Sequence, residues 1–261
     1  MSEPGEGEFY RLCDEAYEGK TAEVLAAGET QRPTVVAVHG AGGGAWEWQL
    51  WQHSPLNSQV DFEAVQLEPR GSLECTTLND YVQQVVEFCN RLKRSGPLYL
   101  VGASMGGMVV ARSAAILKAV AGVVFVCSML PSPWGPPKKT EYPAVVFWAG
   151  GDVQETIEAI PDASLETCRF AAERWRNESG AVLNAISSGI EWKSSMNTRY
   201  CSIVPLADDT INPNDQLAFG AHLSAHTLTY EGMSHCGPLL GRRAEEVAAA
   251  VADWIFQKRL S

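Results

Sequence analysis

Apolar residues fall along this chain in short solid blocks, separated by stretches where they recur every three or four positions. The blocks are TVVAVHG, DFEAVQLE, LYLVGAS, AGVVFVCS, CSIVPLAD and HTLTYEGMS. Most are continuous rather than alternating and rich in Val, Leu and Ile, the pattern of strands buried on both faces of a parallel sheet. DFEAVQLE is the weakest of them. Between the blocks the period is helical. Residues 79–94 put Tyr81, Val82, Val85, Val86, Cys89 and Leu92 on one face, with Thr77 or Asn79 placed to cap it. Residues 106–118 follow a glycine pair and are short and apolar. Residues 243–258 carry Val247, Val251, Trp254 and Ile255 on one stripe. Alternation of this kind predicts an α/β fold with a doubly wound, mostly parallel sheet. EAYEGKTAEVLAAG, near the N-terminus, reads as a hairpin turning at Gly19-Lys20.

The alternation stops at about Leu130 and resumes near Thr198. The intervening stretch opens on the proline-rich LPSPWGPPKK and then reads as helices in VQETIEAI, ASLETCRFAAERW and GAVLNAIS. YPAVVFWAGG reads as helix or loop. The expected organisation is therefore a core of residues 1–130 and 199–261, with residues 131–198 inserted as a helical lid. Trp134, Trp148 and Trp175 fall in the insert and are the candidates for an apolar, substrate-binding wall.

Composition narrows the function classes. Across 261 residues, 46% are hydrophobic and 20% charged, as in a globular protein with a substantial core. No apolar run approaches ~18 residues, so no membrane span is expected. The N-terminal MSEPGEGEFYRL lacks the apolar segment of a secretory leader. The net charge is −11, and no basic cluster exceeds PPKK or RLKR, so a nucleic-acid surface is not expected. Seven scattered cysteines, with no CxxC pair, suggest free thiols in a reducing, cytoplasmic setting and no metal.

Two stretches carry chemistry. Gly102-Ala103-Ser104-Met105-Gly106 is a G-x-S-x-G between an apolar strand and an apolar helix. A sharp strand–serine–helix turn needs glycines on both sides to avoid steric overlap, and it holds the hydroxyl over a helix N-terminus. A serine needs a base. Of His39, His53, His222, His226 and His235, the candidate is His235, which follows the strand HTLTYEG in a small-residue loop, where a doubly wound sheet builds its site. His39 reads as a brace for its own glycine loop. The base needs an acid, and Asp208 and Asp209 both lie just past the preceding strand.

HGAGGGAWEW, GASMG, DDTINP and GMSHC together resemble the α/β-hydrolase superfamily over nearly the whole chain. The first segment is similar to that of the plant methylesterase and hydroxynitrile lyase branch. The resemblance implies a Ser–Asp–His triad in the order Ser104, Asp209, His235, because the family's D-x-x-x-P selects Asp209. It also implies an oxyanion hole from the amides of Met105 and of Gly40 or Ala41. No cofactor is implied, and the partner expected is a small acyl substrate. Lyases of that branch carry lysine after the histidine, and this chain has Cys236, so an esterase is expected rather than a lyase. A receptor binding a small ligand under the lid is the alternative of a different class.

A dinucleotide-binding reading of Gly40–Ala45 is weaker. The acidic Glu68 comes 28 residues after Gly40, later than the ~20 usual for a ribose-binding acid. Trp46 and Trp48 would crowd the pyrophosphate, and Ser104 and His235 would be left without a role. EGKT at 18–21 is no phosphate loop, since Asp14 stands where its first glycine belongs.

Overall fold

The computed structural model describes residues 31–117, 119–135 and 141–257, so the N-terminal hairpin reading lies outside the described residues. In chain order the elements are β1 (Thr34–Val38), a 3-10 turn at Ala45–Trp48, α1 (Gln49–His53), α2 (Leu56–Gln59), β2 (Asp61–Val65), α3 (Leu78–Arg91), β3 (Leu98–Ala103), α4 (Met105–Leu117) and β4 (Val120–Val126). An inserted stretch follows, with β5 (Val145–Val146), α5 (Val153–Ala159), α6 (Leu165–Ala172), β6 (Glu178–Ser179) and α7 (Gly180–Ser187). The chain closes with β7 (Arg199–Pro205), α8 (Pro213–His222), β8 (His226–Tyr230), α9 (Gly237–Leu240) and α10 (Ala244–Phe256).

All six apolar blocks are strands of one parallel sheet, in the order β2-β1-β3-β4-β7-β8. Successive side chains on a strand face opposite ways, and the two cores divide accordingly. Val35, Ala37, Tyr99, Val101, Val124 and Val126 pack one face with Trp51, Leu56, Val247 and Val251. Val36, Val38, Leu98, Leu100, Val123 and Phe125 pack the other with Val82, Val85, Val109 and Phe219. Helices on both faces explain why the strands read as solid apolar runs. α3 begins at Thr77, whose hydroxyl accepts from the Asp80 amide while the Asp80 carboxylate accepts from the Thr77 amide.

Winding proceeds outward from β1 to β2, then back past β1 to β3. The loops leaving β1 and β3 therefore diverge, and a crevice opens at the carboxyl ends of these neighbouring strands. Register places it closely: Val38 pairs with Gly102, so the glycine loop and Ser104 leave the sheet side by side.

Among the described residues, the inserted stretch holds three short helices joined by longer irregular segments. YPAVVFWAGG, expected as helix or loop, contains β5, which pairs antiparallel with β6. Its two β-branched valines suit an extended segment. The insert also feeds both cores: Cys168 and Ala171 of α6 enter the first, and Val182, Leu183 and Ile186 of α7 the second. Among the described residues, no helix is long and apolar enough to cross a membrane.

Candidate active site

Ser104 stands between β3 and α4 with φ of 50°, a left-handed conformation that costs a non-glycine residue ~1–3 kcal/mol. Its neighbours hold it there. The Ser104 amide donates to the Val126 carbonyl at 2.9 Å, and its carbonyl accepts from the Met129 and Gly107 amides at 3.0 and 3.1 Å. The two flanking glycines are required by close approach. A Cβ on Gly102 would run into the Gly106 carbonyl, and one on Gly106 into the carbonyls of Val38 and His39. The pentapeptide spacing is thus the spacing at which β1, β3 and α4 touch.

His235 sits in the loop between β8 and α9 and brings its Nε2 to 3.1 Å from Ser104 Oγ. Its Nδ1 lies 2.9 Å from Oδ2 of Asp208. This corrects the choice of Asp209, which is exposed and accepts from the neighbouring Thr210 hydroxyl. The reason is the turn after β7. The Leu206 and Ala207 amides donate to Tyr230 and Met233, which runs the chain alongside the histidine loop and turns the next side chain inward. The Asp208 side chain is fully buried. Its Oδ1 accepts from the Thr210 and Ile211 amides at 2.9 and 2.8 Å, and its Oδ2 also accepts from Gln216 Nε2 at 2.9 Å. Four donors on one buried carboxylate fix its position.

The loop after β1 supplies the facing wall. His39 braces it as expected. Its Nε2 accepts from the Leu67 amide at 3.1 Å, so Nδ1 carries the proton and donates to the Gly40 carbonyl at 2.8 Å. Complete burial depresses this imidazole to about 4, keeping it neutral. Gly40 comes so near the serine that a Cβ there would lie 3.3 Å from Ser104 Cβ. Its amide, expected toward an oxyanion, instead donates to Glu47 Oε2 at 3.2 Å. The Gly42 amide donates to Glu178 Oε2, also at 3.2 Å. Between these two commitments lies Ala41, which lines the pocket. Met105 opens α4, where the first amides have no intrahelical acceptor.

A pocket of about 60 Å³ lies over Ser104, lined by Ala41, Glu47, Cys127, Trp175, Cys236 and Leu239 among others. Of the three tryptophans named from the sequence, Trp175 lines this pocket. The other two do not. Trp148 lies against Gly42 and is not among the residues lining this pocket. Trp134 packs on α8, with ring centroids 4.2 Å from His222 and 5.5 Å from Phe219. Sequence reasoning passed over Glu47, a buried carboxyl at this pocket, although an acidic residue between two tryptophans next to a glycine loop is a usable signal. It also passed over Arg176, which donates from Nε to the Gly43 carbonyl at 2.9 Å and from Nη2 to the Leu67 carbonyl at 3.0 Å, tying insert to loop.

A family model described as alpha/beta hydrolase matches residues 35–250. Norfluorocurarine synthase 2 from a Strychnos species is 32% identical over 117 residues, 42% of this chain and 44% of that protein, so the match spans less than half of the relative. Among solved structures, a point variant of tomato methylketone synthase I superposes with a TM-score of 0.69 at 16% identity, covering 85% of this chain and 98% of that one. A methylesterase from Arabidopsis gives a TM-score of 0.65 at 14% identity, over 86% of this chain and 99% of that one. At such identities the structural likeness speaks for the fold.

Proposed function

This chain belongs to the alpha/beta hydrolase family, and from that premise we propose that it is a serine hydrolase acting on a small carboxylic ester, thioester or lactone through an acyl-enzyme. The observation that carries this reading is the unbroken line Asp208–His235–Ser104, at 2.9 and 3.1 Å. Ser104 Oγ attacks the acyl carbonyl while its proton passes to Nε2 of His235, and Asp208 stabilises the imidazolium through Nδ1–H. The carbonyl oxygen, now anionic, meets the amides of Met105 and Ala41, each of the kind worth ~3 kcal/mol in such sites. The tetrahedral centre collapses, the bond to the leaving oxygen or sulfur breaks, and His235 returns its proton to that atom. Water, deprotonated by His235, then attacks the acyl-serine and frees the acid and Ser104.

Two features bear on the substrate. The pocket of about 60 Å³ is far below the ~300 Å³ of a drug-sized site, which favours a small acyl group. Cys236 follows the base, and burial raises its thiol, so no cation stands there to receive a departing cyanide. That favours hydrolysis over lyase chemistry. The insert, covering the crevice with Trp175, acts in this reading as a lid, and the free thiols suit a cytoplasmic setting.

The test is hydrolysis of a short aryl ester panel by wild type and Ser104→Ala. Wild type is expected to turn over at least one member, and the variant to lose at least ~10³-fold in kcat/KM with its circular dichroism unchanged. Undiminished turnover in the variant removes Ser104 as nucleophile, and tight ligand binding by wild type without turnover would favour a receptor.

A further inference from the structure

Glu47 is a buried acid that the reaction above does not use. It belongs to the 3-10 turn after the glycine loop and is only 5% exposed. It lines the same pocket as Ser104 and His235. It accepts from the Gly40 amide at 3.2 Å, and Gly40 in turn lies against Ser104. Gly43 is packed so close to the carboxyl that a side chain at that position would overlap it. The glycine loop is therefore folded around Glu47, which shares the pocket with Ser104.

We propose that Glu47 is a protonation switch for the pocket: as the neutral acid it lets an anionic tetrahedral centre form at Ser104, and as the carboxylate it opposes one. The proposal rests on the serine-hydrolase reading given above. Desolvation by burial raises this carboxyl to about 8, against weaker opposing pulls from the Gly40 amide, Arg176 and the Gly44 amide, and among the described residues no cation forms an ion pair with it. A negative charge on buried Glu47 beside a developing oxyanion is a like-charge pair, and like charges in low dielectric cost far more than in water. The imidazolium of His235 gains little from Glu47 in compensation, because Asp208 already answers its charge.

The groups facing Glu47 leave it as the one that titrates just above neutrality. His39, on the loop itself, stays neutral with its imidazole near 4. Cys127, past β4, and Cys236, on the histidine loop, are both pushed well up by burial, with Glu47 itself adding to the shift. Arg176 of the insert sends its guanidinium to Gly43, Leu67 and Glu68. His235 faces Ser104 through Nε2 and is held by Asp208 through Nδ1, so neither of the pair contacts Glu47 through these bonds.

The experiment is the pH dependence of kcat/KM for p-nitrophenyl acetate from pH 6 to 9.5, in wild type, Ser104→Ala, Glu47→Gln and Glu47→Met. Glutamine keeps an acceptor for the Gly40 amide but cannot ionise, and methionine serves the same comparison if the amide does not fold. Wild-type kcat/KM is expected to fall above a midpoint near 8, by about tenfold per unit beyond it. The two non-ionising variants should hold a level profile there, whatever their rate at neutral pH. A fall that persists in both variants overturns the switch, while a dead Ser104→Ala keeps the serine reading standing. If Ser104→Ala hydrolyses as wild type does, the serine reading fails and takes the switch with it. Infrared difference spectra of wild type minus Glu47→Gln add a readout that needs no turnover: a protonated-carboxyl band at pH 6 that vanishes by pH 9.5 is expected, and its absence at pH 6 also overturns the proposal.

Discussion

At the scale of single residues, the site depends on which of two adjacent carboxylates turns inward. Asp208 is buried with four donors, and Asp209 is exposed one peptide further on. Asp208→Asn is therefore expected to lower kcat for ester hydrolysis by ~10⁴, since an amide there no longer holds His235 in the needed tautomer. Asp209→Asn is expected to change kcat by less than about threefold, as surface substitutions generally do. Equal effects in a steady-state comparison would contradict the geometry. The pair also shows where sequence reading stopped. Ser104 and His235 were legible because glycine spacing and position after a strand depend on backbone sterics, which residue types report. The choice between Asp208 and Asp209 depends on the phase of a turn set by the Leu206 and Ala207 amides, and no residue type reports that.

At the scale of elements, six strands and the long helices of the core were legible from period alone, because each buries one face or both. β5 was not. Two residues are too short a run for periodicity, and its pairing with β6 spans more than thirty intervening positions. The placing of Trp134 and Trp148 was equally hidden, since an aromatic in an insert packs on whatever element the tertiary fold brings to it. The insert is fastened to the site by Arg176, whose side chain holds the carbonyls of Gly43 and Leu67 while its amide donates to Gly42. Its ion pair with Glu68 joins partly exposed groups and adds little. Arg176→Ala, losing two charge-assisted hydrogen bonds, is expected to lower unfolding free energy by about 2 kcal/mol. Amide exchange should quicken in residues 40–45 more than in α10. Exchange unchanged in that loop would show that the insert does not hold it.

At the scale of the whole molecule, two buried groups of the glycine loop give opposite pH dependences. His39 has its folded value lowered from 6.5 to about 4, so the unfolded chain binds more protons between those values and stability falls as pH drops through that window. Glu47 has its folded value raised from 4.5 to about 8, so the native state binds more protons and stability falls as pH rises from 4.5 to 8. Between 4.5 and 6.5 the two slopes cancel, and above 6.5 the Glu47 term stands alone. Urea unfolding of Glu47→Gln against wild type should show their difference growing in favour of the variant by about 1.4 kcal/mol per pH unit up to pH 8. A difference independent of pH would mean that Glu47 is already ionised in the native state at pH 5.

The central claim is that Ser104 is the nucleophile of this site, and covalent trapping tests it most directly. Wild type, Ser104→Ala and Asp209→Asn are treated with a small alkyl fluorophosphonate at neutral pH, then digested and read by tandem mass spectrometry. The expected result is one phosphonyl group on the peptide carrying Ser104 in wild type and in Asp209→Asn, and none in Ser104→Ala. An unlabelled wild type, or a label that survives in Ser104→Ala, would contradict it.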